Sequence, residues 1–116
     1  MPGVTEYLKE DAYSNEREIK TLFPLIRQWA SNRNLIQGAT SHAQMLKLSE
    51  EQGELAASIA RNKLEGIKDG IGDCVVVLTI LAAQYGMTIE ECISSAYHEI
   101  KDRKGQMVNG VFVKEE

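Results

Sequence analysis

Aromatic residues are scarce: one Trp, two Phe and four Tyr in 116 residues. That leaves little for a stacking platform on which single-stranded nucleic acid could lie. Positive charge is not in excess either. Thirteen Lys and Arg stand against 17 Asp and Glu, a formal net charge of −4. Nonspecific binding to nucleic acid or to an anionic membrane needs a basic face, so neither partner is expected. No run of 18 apolar residues exists, and the longest apolar stretch, Cys74 to Ala83, is broken by Thr79 and too short to cross a bilayer. Met1-Pro2-Gly3-Val4-Thr5-Glu6 lacks the basic start and apolar middle of a signal peptide. The only two cysteines, Cys74 and Cys92, show no CxxC spacing. They read as buried free thiols, which suits a reducing cytoplasm.

What is present fits one domain with one core. A chain of 116 residues does not easily enclose a buried active site unaided, so self-association is expected. The pattern is almost wholly helical. Residues 1–20 are polar and weakly patterned, an N-terminal arm; 21–116 form the helical domain. A first helix is expected over Thr21 to Asn34, capped by Thr21, with Pro24 tolerated in its first turn and an apolar stripe of Leu22, Leu25, Ile26 and Trp29. A second runs from Ser41, through a Ser41-x-x-Gln44 capping box, to about Asn62. A third runs from Leu64 or Gly66 to Tyr85, is apolar on nearly every side, and stops at Gly86. A fourth starts at a Thr88-x-x-Glu91 capping box, turns Ile89, Cys92, Ile93, Ala96, Tyr97 and Ile100 inward, and ends at Gly105. Asn109-Gly110, between apolar residues, predicts a short C-terminal hairpin or an extended tail. The fold class is therefore all-α, four-helix bundle-like.

Carboxylates in the middle of the chain carry the chemistry. Glu50, Glu51 and Glu54 line neighbouring positions on one side of the second helix, and Asp69 and Asp73 share a face of the third. An antiparallel pairing of the two helices brings both sets together. Alone, Glu-Glu-x-x-Glu is an ordinary solvated face. Asp73 is sharper, because it heads the apolar run Cys74-Val75-Val76-Val77-Leu78 with no basic residue beside it in sequence. Crowded acids between packed helices repel and lose hydration, so a cation is expected among them. An all-oxygen cage suits Mg²⁺, and Mg²⁺ suits a phosphate-bearing substrate. A di-iron carboxylate bundle needs Glu-x-x-His pairs, and the sequence has none. Gly53, Gly70 and Gly72 flank the acids and suggest close approach of a helix or a ligand.

Lys47-Leu48-Ser49-Glu50-Glu51-x-Gly53-Glu54-Leu55, followed by Ile71-Gly72-Asp73 and an apolar run, resembles the MazG-like, all-α nucleoside triphosphate pyrophosphohydrolases. The string Ala96-Tyr97-x-Glu99-Ile100-Lys101-x-Arg103-Lys104-Gly105 is similar to small MazG-like proteins of bacteria and their viruses. The family's fourth acid stands three residues before the aspartate; here that position is Gly70, and the nearest acid is Asp69. The resemblance implies cleavage of an NTP or dNTP between the α- and β-phosphates. It implies Mg²⁺, with Mn²⁺ able to stand in, held by Glu51, Glu54 and Asp73. Asp69 would hold a second ion or its water shell. Glu50 would position the attacking water, with Glu54 as competitor. Lys47, Lys101 and Arg103 are candidates for phosphate; Lys104 and His98 read as surface residues. His42 and Trp29 are candidates for the base, although Trp29 reads more simply as a core anchor. Homodimers or homotetramers are implied. A catalytically weakened nucleotide-binding or regulatory module on the same fold is the alternative, kept open by Gly70.

Overall fold

The computed structural model describes residues 19–116. Four helices, α1 Ile19–Asn32, α2 Ser41–Ala60, α3 Leu64–Gln84 and α4 Ile89–Ile100, precede an antiparallel hairpin of β1 Gly105–Val108 and β2 Val111–Lys114. The fold is all-α with a small hairpin, as the sequence pattern implies. The expected arm over 1–20 lies outside the described residues except for its last two positions, which belong to α1.

Most helix ends differ from expectation by one or two residues, each for a local reason; α4 stops earlier than expected, at Ile100, and Gly105, read from sequence as its end, opens β1 instead. α1 is already under way at Ile19, so Thr21 does not start it and Pro24 is its sixth residue, past the first turn. There the missing N–H removes a bond that a first-turn proline would not have made. α2 is capped by Thr40, whose side chain accepts from the Ala43 N–H at 3.0 Å. The expected Ser41–Gln44 box does not form, because Ser41 is itself helical and Gln44 is buried. The Thr88–Glu91 box is present in both directions. Asn34 and Asn62, read from sequence as the last helical residues, instead take left-handed φ of 58° and 53°. Each ends its helix by the same device: Leu35 N–H returns to Ala30 O and Lys63 N–H to Ser58 O, both at 2.9 Å. Gly86, φ 73°, does likewise for α3, with Met87 N–H on Ala82 O at 3.0 Å. Asn and Gly are the residues that tolerate this conformation.

α2 and α3 form an antiparallel helical hairpin, and α1 and α4 pack on α3. Glycines set the spacing of the first pair. A Cβ on Gly70 would sit 2.9 Å from Leu55 Cβ, and one on Gly66 would strike Ser58 Oγ. Gly53 and Gly72 face open space instead, so of the three glycines that flank the acids only Gly70 serves close approach. The core is Ala30, Leu48, Val77, Ile80, Ala82 and Ile89. Thr79, the break in the apolar run, is fully buried and satisfies its hydroxyl on Val75 O at 2.7 Å.

Two expectations about burial do not hold within one chain. α3 is not covered all round: Ile71 is 54% exposed and Leu78 38%. α4 buries only Ile89, leaving Ile93, Tyr97 and Ile100 exposed and Cys92 half-buried. Among the described residues α1, α2 and α4 pack on α3, and the outer apolar stripes of α3 and α4 stay exposed. Cys74 is a free, half-buried thiol. α4 is held instead by a bidentate ion pair, Arg27 Nη1 to Glu90 Oε1 at 2.6 Å and Nη2 to Oε2 at 3.0 Å.

Two stability predictions follow from these contacts. Gly70→Ala overpacks the α2–α3 contact and costs about 1–3 kcal/mol, whereas Gly72→Ala adds helix propensity without a clash and stabilises by up to about 1 kcal/mol; chemical denaturation of the two variants checks the opposite signs. The Arg27 guanidinium, by its hydrogen bond, holds Glu90 below its ordinary value of 4.5. A depressed carboxylate contributes stability above its unfolded pKa and loses it as pH falls through the folded one. Arg27→Met therefore lowers Tm at pH 7, and the gap from wild type closes as the buffer is taken down to about pH 2.

Candidate active site

The close contact at Gly70 sets the register that brings α2's Glu51 beside α3's Asp73. Both line a cleft of about 530 Å³. Its walls are apolar: Leu35 and Ala39 from the α1–α2 loop, Ala43 from α2, and Val76, Val77 and Ile80 from α3. Trp29 of α1 stands at one side. The loop wall is pinned from below, where Gln84 Nε2 donates to Leu35 O at 3.2 Å and Ala39 O at 3.0 Å.

Glu51 is the unusual residue. It is only 7% exposed. One oxygen, Oε1, is 3.4 Å from Lys47 Nζ; the other, Oε2, is buried with no hydrogen-bond partner. A carboxylate oxygen left unpaired away from water is costly unless something positive occupies the space before it. Asp73 adjoins it. Desolvation, then the charges of Glu51 and Asp69, push the Asp73 carboxyl above its ordinary value of 3.8. An acid held above its ordinary proton affinity, beside a second with an orphan oxygen, is a pair of oxygen donors of the kind a hard divalent cation accepts.

The remaining sequence candidates are placed as follows. Lys47 lines the cleft and pairs with both Glu50, at 3.3 Å, and Glu51. Glu50 is at the exposed rim, 58% open by side chain. Glu54 and Asp69 are exposed, one turn from Glu51 and Asp73 respectively. Among the described residues no three acids, histidines or cysteines are gathered closely enough to cage an ion. The reason is visible at Gly70, where the position facing α2 carries no side chain and is filled by Leu55. Lys101 and Arg103 do not line the cleft. They pair locally, with Asp102 at 3.7 Å and Glu99 at 3.5 Å. His42 belongs to a second cleft, of about 490 Å³, with Met45, Leu46, Leu81 and Tyr85.

Trp29 is no core anchor: it is 45% exposed, and the Arg33 guanidinium lies 4.4 Å above its ring. Sequence reasoning also passed over Gln44, buried at the cleft. Its signal was available. Gln44, Lys47 and Glu51 follow the seven- and four-residue spacing of one helix face, and Arg33 follows Trp29 by four.

The residues that build this cleft from Ala39 onward fall within residues 39–108, which match the family model described as the MazG nucleotide pyrophosphohydrolase domain. The chain belongs to the MazG family. It is also 49% identical over 67 residues to an uncharacterized 18.2 kDa protein in the rep-hol intergenic region of Haemophilus phage HP1, strain HP1c1. That match takes in 58% of this chain and 41% of the relative. No solved structure matches. No helix among the described residues of this MazG domain is long and apolar enough to cross a membrane.

The acid pair has a measurable cost in the absence of metal. A carboxyl whose folded pKa is raised binds its proton more tightly folded than unfolded, so its ionisation destabilises the fold at neutral pH and less so as pH falls toward 3.8. Asp73→Asn removes that cost. In EDTA at pH 7 its Tm lies above wild type, the gap narrows on acidification, and millimolar Mg²⁺ raises wild type more than the variant; differential scanning fluorimetry reads all three.

Proposed function

We propose that this chain is a Mg²⁺-dependent nucleoside triphosphate pyrophosphohydrolase that cleaves an NTP or dNTP between the α- and β-phosphates, releasing the nucleoside monophosphate and pyrophosphate. The observation that carries the reading is the buried, unpartnered Glu51 Oε2 beside Asp73 at the acidic end of an apolar cleft. Its setting in a MazG domain supplies the reaction class.

In this reading Glu51 and Asp73 would hold Mg²⁺, or Mn²⁺ in its place, with Glu54 and Asp69, one turn away on each helix, as supporting acids; when bound, the ion would supply neutralisation of phosphate charge. Glu50, open to solvent at the rim and steadied by Lys47, takes the proton of the attacking water as its oxygen bonds to phosphorus and the bridging P–O bond breaks. Glu54 is the competing base. Lys47 turns from its acid partners toward phosphate. The apolar walls and Trp29 receive the rest of the nucleotide and exclude water from it. Lys101, Arg103 and His42 reach a substrate only if a second copy contributes them, which accords with a homodimer or homotetramer. The free thiols suit a reducing cytoplasm.

The second reading is a nucleotide-binding or regulatory module with weakened catalysis. Gly70 favours it, because it leaves the helix-facing position without an acid. A panel of NTPs and dNTPs with Mg²⁺ or Mn²⁺ decides between them. Monophosphate and pyrophosphate in equal amounts support the hydrolase, with Glu51→Gln and Asp73→Asn each slower by on the order of 100-fold or more and unchanged circular dichroism. Metal-dependent nucleotide binding with no product from any of them supports the module.

A further inference from the structure

Gln44 is a buried polar side chain without a partner. It is 8% exposed and lines the cleft of about 530 Å³. Its backbone N–H is used, on Thr40 O at 3.1 Å. Its side-chain carboxamide bonds to no described residue. Neighbouring buried groups differ. The Thr79 hydroxyl ends on Val75 O, Glu51 Oε1 meets Lys47 Nζ, and Gln84 Nε2 holds two loop carbonyls. A carboxamide taken out of water with neither oxygen nor nitrogen bonded is costly. A methionine of similar length would fill the same space beside Ala39 and Ala43 without that cost. Packing therefore does not explain a glutamine here, whereas a polar group entering the cleft does.

Its position gives the carboxamide a task. Gln44, Lys47 and Glu51 lie on one face of α2 and all line the cleft. The seven residues from Gln44 to Glu51 span about 10 Å of helix. That is comparable with the reach from a nucleotide's α-phosphate to the pairing edge of its base. With phosphate at the corner of Glu51 and Asp73, the base arrives at Gln44. Val76, Val77 and Ile80 wall the cleft, and such apolar side chains suit the faces of a ring, leaving its polar edge to a hydrogen-bonding group. His42, the sequence candidate for the base, belongs to the other cleft.

We propose that Gln44 reads the pairing edge of the nucleobase, donating from Nε2 and accepting at Oε1, and so makes an exocyclic amino or oxo group on the base a requirement for tight binding. A base presents there a donor beside an acceptor, and a carboxamide presents the complementary pair. Turned over, the same carboxamide matches the opposite order, so the contact admits amino and oxo bases alike and rejects rings that carry neither group. A site built around such a bond discriminates strongly, because the ring without the group leaves a buried protein atom unpaired. The proposal rests on the nucleotide reading of the cleft and adds to it the contact that selects the base.

Trp29 is the chain's one tryptophan and stands at the cleft, so its fluorescence reports binding without turnover. The full chain with Mg²⁺ is titrated with α,β-imido triphosphates, which resist cleavage between those phosphates. The ligands are those of deoxycytidine and deoxyadenosine, and of the 2-pyrimidinone and unsubstituted purine deoxynucleosides, which lack only the amino group. In the tighter-binding pair, wild type loses on the order of 10–100-fold in affinity with the amino group. Gln44→Met brings each nucleotide and its counterpart within a few-fold, because once one partner is gone the loss of the other costs nothing more. Gln44→Asn, a methylene short of the base, gives the same levelling should the first variant misfold. A glutamine that served packing alone would, when replaced, weaken all the ligands alike and leave their ratios unchanged. That result, a wild type indifferent to the amino group, or no nucleotide binding at all would overturn the proposal. Discrimination of this kind with no product in the hydrolysis panel would uphold Gln44 and remove the hydrolase reading instead.

Discussion

The contact between α2 and α3 at Gly66 and Gly70 is the constraint on which the rest depends. With no side chains at these two positions, the helices approach until Leu55 and Ser58 fill the gap. That approach fixes how far one helix is slid along the other. Glu51 comes to rest beside Asp73 for this reason, and an acid that its own helix would present to water is buried next to a second acid that stays exposed at the cleft's edge. Packing and chemistry are therefore opposed here. Leu48, Val77 and Ile80 gain by the approach, while the two carboxylates lose hydration and repel.

This opposition is characteristic of sites that await a ligand. Glu51 carries a buried oxygen with nothing bonded to it, and Asp73 resists ionisation. Lys47 offsets part of the charge, but it stands at the rim, is half open to water, and is shared with Glu50. A single mobile ammonium between two acids is a weak counterion. A stability cost retained at one spot in an otherwise consistent fold marks function more often than accident.

The position of Gly70 links the two themes. The glycine that allows the helices to meet stands three residues before Asp73, so tight packing occupies the helix-facing position next to the acid pair. The neighbouring Asp69 lies about 100° further round the helix and is exposed. The acidic corner is accordingly two carboxylates, Glu51 and Asp73.

Much of this was legible in the residues themselves. Helical periodicity placed all four helices, Asn109-Gly110 placed the hairpin, and Thr88-Glu91 placed a cap. The acids were legible as a set because local spacing puts them on faces. Less legible were the ends at Asn34 and Asn62, since Asn serves equally as a helical residue and as a left-handed stop, and only the returning hydrogen bonds decide. The sorting of Glu51 and Asp73 from Glu50, Glu54 and Asp69 depends on which helix face meets another helix. The fate of Trp29 depends on the same thing. Its aromatic ring suits a core equally well, and only the packing around it leaves it half-exposed at one side of a cleft. Local sequence thus determined the elements, because capping, turns and periodicity act over a few neighbouring residues. Tertiary structure alone decided which charge is buried and which apolar stripe stays bare, because burial is a property of what packs opposite, and that partner lies far along the chain or outside it.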